Sequence, residues 1–500
     1  MAAPAVRRAD FLMTLAYATD LATGQSRDFA LRSCVLAMRL AETAGLDDRE
    51  RRNVYHQALL RYIGCNADTH LLASAFGDEI ALRQDLARID MGDHSEIAET
   101  FVRAFTRVFA DAPPAELAKA VQQGLAEAMQ VSIPILAGHC EVAQRIAERI
   151  GLPDEVRENL GQLYERWDGR GLPKGLKGDA VKLAVRLVTL AQDAIALTEA
   201  HGPETMATII AKRRGGAYEP ELADLFLAHA ERLLAGLDGV VDRQTILALE
   251  PLPHAVLDEE ACEEAYLAIA DMIDMRMPFT FGHSRAVAEL AAAAGKRLGL
   301  PAADIRELRW AGYTHDLGEL SVPVATWMRA GALTVRETDA ARLHPYQGER
   351  ALASLGEEGK SVAALVLRHH ERLDGSGYHR YVRGNDLSPA ARVLAAADRK
   401  ADGSVRSRLG PASRVGRVRS EVERISVPLP EALGSTCTGH GRGTVGSAAE
   451  DEAGDGARLD SGFGGVDRSS YFRGAGARVV SDGGAARSSI EHHRTRSSDD

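Results

Sequence analysis

His370-Glu371-Arg372-Leu373-Asp374-Gly375-Ser376-Gly377-Tyr378-His379, running on to Leu394-Ala395-Ala396-Ala397-Asp398, repeats an earlier stretch of the same chain. That stretch is Tyr164-Glu165-Arg166-Trp167-Asp168-Gly169-Arg170-Gly171-Leu172-Pro173, running on to Leu190-Ala191-Gln192-Asp193. The intervals Glu165 to Asp193 and Glu371 to Asp398 are 28 and 27 residues. Upstream, Ala58 to Gly64 stands where Ala311 to Gly318 stands in the later copy. A single long period of this kind predicts two tandem domains, because solenoids repeat over much shorter units.

Apolar residues recur at three- and four-residue spacing in Phe29 to Ala44, Val142 to Ile150, Glu221 to Leu237, Val287 to Leu298 and Asp304 to Ala311. This is the pattern of amphipathic helices. Alternating β-branched runs are scarce, so the expected fold class is all-α. A chain of 500 residues exceeds one hydrophobic core. The expected domains are 1–245 and 246–400, followed by a tail, 401–500. Few large apolar residues interrupt its Arg, Ser and Gly, too few to offset the entropy of ordering it. The repeat stops abruptly after Asp398, which suggests a reading frame shifted near residue 399.

Formal charge is −11, from 60 basic and 71 acidic residues, which disfavours nucleic acid as a partner. The 5 cysteines are scattered without a C-x-x-C pair, as expected of reduced thiols and a cytoplasmic location. Arg7, Arg8 and Asp10 precede a short apolar stretch, Phe11 to Ala18, that lacks the length and cleavage site of a signal peptide. No uncharged apolar run reaches the roughly 18 to 20 residues that cross a bilayer, so no membrane partner is expected.

Seven side chains in the later copy carry the chemistry: His283, His315, Asp316, His344, His369, His370 and Asp398. Two of the pairs are adjacent in sequence. Neighbours on a helix point about 100° apart, so each pair serves two nearby ions better than it chelates one. Mixed His and Asp donors suit Fe, Mn or Zn. Two such ions lower the pKa of a shared water and clamp an in-line phosphoryl displacement. Phosphoester hydrolysis is the reaction this set predicts.

In order, Gly282-His283-Ser284, His315-Asp316-Leu317-Gly318, Leu343-His344-Pro345, His369 through Tyr378, and Asp398 resemble the signature of the HD-GYP subgroup of the HD phosphohydrolase superfamily. The resemblance implies two tandem HD-type helical bundles, with all seven residues as metal ligands and Asp316 bridging. His315 and Asp316 would stand at the catalytic centre. The activity implied is cleavage of a phosphodiester, cyclic di-GMP first, by a hydroxide bridging two divalent transition-metal ions, Fe or Mn. Arg285 and Arg372 are expected at substrate phosphates, with Asp374, Gly375, Gly377 and Tyr378 forming the rim. The chain departs from the family pattern at Glu319, where the family has Lys, at His379, where it has Pro, and at Phe279, where some members carry an acid. Two metals rather than three are therefore expected.

The earlier copy has Gln25, Arg61-Tyr62 and Leu163-Tyr164 at the expected ligand positions, keeping only His139 and Asp193. It is expected to be a dimerisation, regulatory or ligand-sensing module without a metal cluster. The alternative for the whole chain is a catalytically weak nucleotide-sensing signalling module. The expected partner is a nucleotide or other phosphoester substrate, and a homodimer is left open.

Overall fold

Each stretch read as amphipathic is a helix: Phe29–Thr43, Pro114–Arg149, Pro220–Leu234, His283–Arg297 and Ala302–Thr314. The computed structural model describes residues 6–110, 112–329 and 331–409. Beyond 409, the expectations of low order and of a shifted frame fall outside the described residues. Among those residues the one sheet is a two-residue pairing, Val6–Arg7 antiparallel to Val256–Leu257, which ties the chain start to the segment joining the halves. No helix among the described residues is long and apolar enough to cross a membrane.

The repeat extends to the start of the chain, further than the motifs indicate. Arg8–Thr23 corresponds to Glu259–Asp274, Phe29–Thr43 to His283–Arg297, and Asp48–Leu60 to Ala302–Thr314; within each pair the helices have equal length. The register is fixed by a shared entry. Asp20 accepts from Ala30 N at 3.3 and 3.1 Å, and Asp274 accepts from Ser284 N at the same two distances. In both, a residue in the left-handed region precedes the helix, Asp28 at φ 60° and Gly282 at φ 80°. The counterpart of His283 is therefore Phe29, which corrects Gln25. The local match of Gly24-Gln25-Ser26 to Gly282-His283-Ser284 misplaces it by four residues, since Asp20 to Phe29 and Asp274 to His283 are both nine residues apart.

Arg8–Thr23 explains the apolar run Phe11 to Ala18. Every residue of this helix except Arg8 and Leu21 is buried. It packs on Phe29–Thr43 and Asp48–Leu60 of its own half and on Leu317–Ser321, His344–Leu352 and Ala353–Gly359 of the other. A helix covered on all sides needs no polar face. Its threonines return their hydroxyls to the carbonyl one turn back, Thr14 to Asp10, Thr19 to Leu15 and Thr23 to Thr19, at 2.7 to 3.0 Å. Full burial of Phe11, Leu12 or Leu15 contributes roughly 1.5–3 kcal/mol each, and these side chains belong to one hydrophobic cluster that runs through both halves.

Two expected boundaries move. The division between 245 and 246 falls inside the helix Arg243–Leu249, which packs on Phe29–Thr43. At the other end, Pro389–Leu409 continues past the expected stop at 400. Ala401 and Asp402 are buried there because they lie about one turn beyond Asp398 on the same helix face.

Candidate metal centre

Of the seven expected donors, four stand at a helix end or one residue past it, and Asp316 and His370 follow directly on two of these. His283 and His344 open His283–Arg297 and His344–Leu352, while His315 and His369 close Ala302–Thr314 and Lys360–Arg368. The last carbonyls of a helix lack an intrahelical partner, and three imidazoles use them. Nδ1 of His315 meets Gly312 O at 2.9 Å, that of His344 meets Ala341 O at 2.6 Å, and that of His369 meets Val366 O at 2.6 Å. A carbonyl only accepts, so Nδ1 of each ring carries a proton and Nε2 turns inward.

These nitrogens converge. His283 Nε2 lies 3.3 Å from His315 Nε2, and His344 Nε2 lies 3.0 Å from His369 Nε2. Asp316 stands between the two pairs. Its Oδ2 is 3.6 and 3.2 Å from His283 and His315, and its Oδ1 is 3.7 Å from both His344 and His369. Asp398 Oδ1 is 3.3 Å from His283 and 3.5 Å from His315. Two groups result, Asp316 with His344, His369 and His370, and His283 with His315 and Asp398, each with donor atoms within 4.8 Å of one another. Ring nitrogens this close need a proton or a metal cation between them, and nitrogen with carboxylate oxygen is a donor set that first-row divalent ions accept. The residues fit metal.

Burial and charge act differently on the individual donors. Burial pushes His344 down to about 3, with His369 adding to it, and burial likewise drives His370 well below the imidazole range. Burial opposes charge on His315 too, but the carboxylates of Asp316 and Asp398 outweigh it and hold that ring above its usual value. Burial would raise Asp398, yet hydrogen bonds from His283 and His315 keep it well below the carboxylate range. At neutral pH the centre therefore offers bare nitrogens at His344 and His370 and an ionised Asp398.

Around the centre, Glu371 accepts from Arg380 N at 2.7 Å and Val382 N at 3.0 Å, pinning the loop after the double histidine. Asp374 accepts from Ser376 N at 2.9 Å, so Asp374 to Gly377 is a turn shortly after the double histidine, with Arg372 half-buried just before it. Tyr378 stacks on His370 with ring centroids 4.7 Å apart. On Tyr378 rests Arg342, 5.8 Å from the ring centroid, a cation that no motif marks. Arg285 is a correction: its fork closes on Asp271 at 2.7 to 3.0 Å, which also bonds Arg149, so it is committed to an ion pair between helices.

Gly318 is required where it stands, since a Cβ there would lie 1.8 Å from His344 O. Glu319, next in the chain, is buried, and its negative charge supports the fully buried guanidinium of Arg276. Its departure from the family's Lys is thus balanced inside the protein. Asp402 also escaped the sequence reading. It sits 3.9 Å from His283 Nδ1, and its place four residues after Asp398 on one helix was the available signal.

The first half repeats the scaffold with other contents. Gly64 presses on His139 O as Gly318 does on His344 O, with a Cβ reaching 1.9 Å. Glu165 pins its loop through Lys174 N and Leu176 N at 2.8 and 2.7 Å. Phe29 and Leu163 fill two donor places. His139 meets Asp68 at 3.0 Å and Tyr164 OH at 2.9 Å, and Tyr164 OH meets Cys65 Sγ at 3.1 Å. Asp193 accepts from Tyr218 at 2.8 Å and feels the charges of Arg61 and Arg213. Both donor groups found among the described residues lie in the second half.

A family model described as HD domain matches residues 114–222 and 268–400, one match in each half. A 3'3'-cGAMP-specific phosphodiesterase of Vibrio cholerae is 26% identical over 404 residues, spanning 78% of this chain and 84% of that relative. A cyclic di-GMP phosphodiesterase of Pseudomonas aeruginosa is 37% identical over 120 residues, 24% of this chain and 29% of that one. A cyclic di-GMP phosphodiesterase response regulator of Xanthomonas campestris is 31% identical over 159 residues, 31% of this chain and 42% of that one. The crystal structure of a cyclic GMP-AMP specific phosphodiesterase of V. cholerae shares the fold, with TM-score 0.54 at 21% identity over 86% of this chain and 99% of that chain. The double family match, these relatives and the ordered His-Asp motifs lead to one assignment: the chain belongs to the HD superfamily of metal-dependent phosphohydrolases, in its HD-GYP subgroup.

Proposed function

We propose that the second half is a metal-dependent phosphodiesterase for a cyclic dinucleotide, with His283, His315, Asp316, His344, His369, His370 and Asp398 as ligands of two divalent ions, Fe or Mn. The observation that carries this is the position of Asp316, one oxygen toward His283 and His315 and the other toward His344 and His369. Bound there, divalent ions would supply Lewis acidity at a phosphoryl oxygen and lower the pKa of a water. The chain does the rest. The bonds from Nδ1 to helix-end carbonyls hold three rings in one tautomer and orientation, which is what outer partners of metal-binding histidines do. Tyr378 covers His370 and limits water on that side, and Arg342 places positive charge behind it, suited to a substrate phosphate. Arg372 and the Asp374–Gly377 turn form the outer wall.

Cyclic di-GMP is the substrate suggested by the motifs. The relative that matches most of this chain's length is named for 3'3'-cGAMP, which favours a mixed purine dinucleotide as a second reading. The experiment is turnover of both, with Mn or Fe supplied, by wild type and Asp316→Ala. Metal-dependent turnover that falls at least about a thousandfold in the variant is expected for a shared metal ligand at the reacting centre. Metal retention without turnover of either would replace the enzyme by the nucleotide-sensing module.

A further inference from the structure

We propose that Glu79, a residue of the first half, is a positioning residue for the metal centre of the second. Helix Glu79–Leu86 belongs to the first half, yet its opening residue is fully buried against the segment that follows His315-Asp316. Glu79 Oε1 accepts from Val324 N at 2.9 Å and lies 3.3 Å from the guanidinium of Arg276. Arg276, 1% exposed, donates to Glu319 O at 2.6 Å and Val322 O at 3.0 Å. One carboxylate and one guanidinium thus hold both ends of residues 319–324. The start of that segment is the contact of Gly318 with the backbone of His344, so its placement sets the spacing between His315-Asp316 and His344.

A buried guanidinium needs a nearby anion, and Arg276 draws on Glu79 from one half and Glu319 from the other. One turn along the same helix, Arg83 anchors Glu79's helix to the first half's own centre, bonding Cys65 O, Asp68 Oδ1 at 2.9 Å and Thr69 Oγ1 at 3.1 Å. Asp68 is the residue that holds His139. The first half's centre, without a donor cluster of its own among the described residues, is therefore linked through four buried charged groups, Asp68, Arg83, Glu79 and Arg276, to the loop that follows Asp316.

This rests on the reading that the second half binds metal, and the test separates the two. Mn2+ affinity is measured on the full chain for wild type, Glu79→Ala and Glu79→Gln, with amide exchange of residues 317–324 in metal-free protein and kcat and KM on the better dinucleotide. The expectation for Glu79→Ala is about tenfold weaker Mn2+ binding, the lower end for outer partners of metal ligands, with faster exchange in 317–324 and kcat falling more than KM changes. Glu79→Gln, which keeps an acceptor for Val324 N, should recover part of each. A purely structural role would lower the melting temperature while leaving Mn2+ affinity of the folded protein alone. Affinity and kcat within twofold of wild type in both variants overturn the proposal, and Glu79→Gln alone decides if Glu79→Ala does not fold. Wild type that takes up no Mn2+ overturns the metal reading itself.

Discussion

His139 and His344 occupy the same place in the two halves, each with its carbonyl against a glycine, and their surroundings send them in opposite directions. His344 faces His369 and other rings and is pushed down to about 3 by burial. For His139 burial pulls the same way, but Asp68 and Cys65 prevail and hold it up at about 9. The helices, the helix entry and the loop pin are shared; the charge supplied to the middle is not. In the first half Arg61 and Arg213 face Asp193, Arg83 and His139 face Asp68, and Phe29 and Leu163 fill the remaining space. The comparison teaches that this scaffold needs positive charge at its centre and accepts it from side chains or from metal.

The sharpest way to break the comparison is at its shared glycines. Gly64→Ala and Gly318→Ala each drive a Cβ to within 1.8 or 1.9 Å of a carbonyl oxygen, so each should cost roughly 2–4 kcal/mol in denaturant unfolding. Only Gly318→Ala should also reduce Mn2+ uptake. If Gly64→Ala unfolds like wild type, the halves are not built alike.

A smaller effect separates the two histidines by pH. His139 has a folded pKa of about 9, above its ordinary 6.5, so the stability it adds is fully present below pH 6.5 and is lost as pH rises through 9. Loss of this contribution in His139→Gln should therefore be greatest below pH 6.5, about 1–3 kcal/mol, and vanish above roughly pH 9.5. Melting curves of the two proteins that stay parallel from pH 6 to 10 would show that no Asp68-His139 ion pair forms.

The smallest expected effect lies one turn past the last donor, where the later half has Asp402 and the earlier half Leu197. Asp402→Ala should weaken Mn2+ binding about threefold, since at 3.9 Å its hold on His283 is loose. An unchanged titration would restrict this turn to covering the core.

Much of this was legible in the sequence. Helical spacing and the repeated Glu-to-Asp interval carry the fold, and the order of His283, His315-Asp316, His344, His369-His370 and Asp398 carries the centre, because those residues have few other reasons to recur in that pattern. What escaped depends on contacts between distant segments. Glu79 and Arg276 are ordinary charges until the halves are packed, and Arg342 matters only because Tyr378 comes to lie beneath it. Arg285 looked suited to phosphate because Asp271, 14 residues earlier on the preceding helix, could not be seen as its partner. Gln25 was misassigned because Gly24-Gln25-Ser26 imitates Gly282-His283-Ser284, and only the bonds of Asp20 and Asp274 disclose the register.

Helix Arg8–Thr23 has a practical consequence. It forms the floor beneath Leu317–Ser321 and His344–Leu352, the elements that set His315, Asp316 and His344. A fragment starting near residue 250 would lay that underside open to water and lose Glu79 as well. Any excised piece that keeps this support must therefore include Arg8–Thr23 and Glu79, so the later repeat is not a detachable cassette.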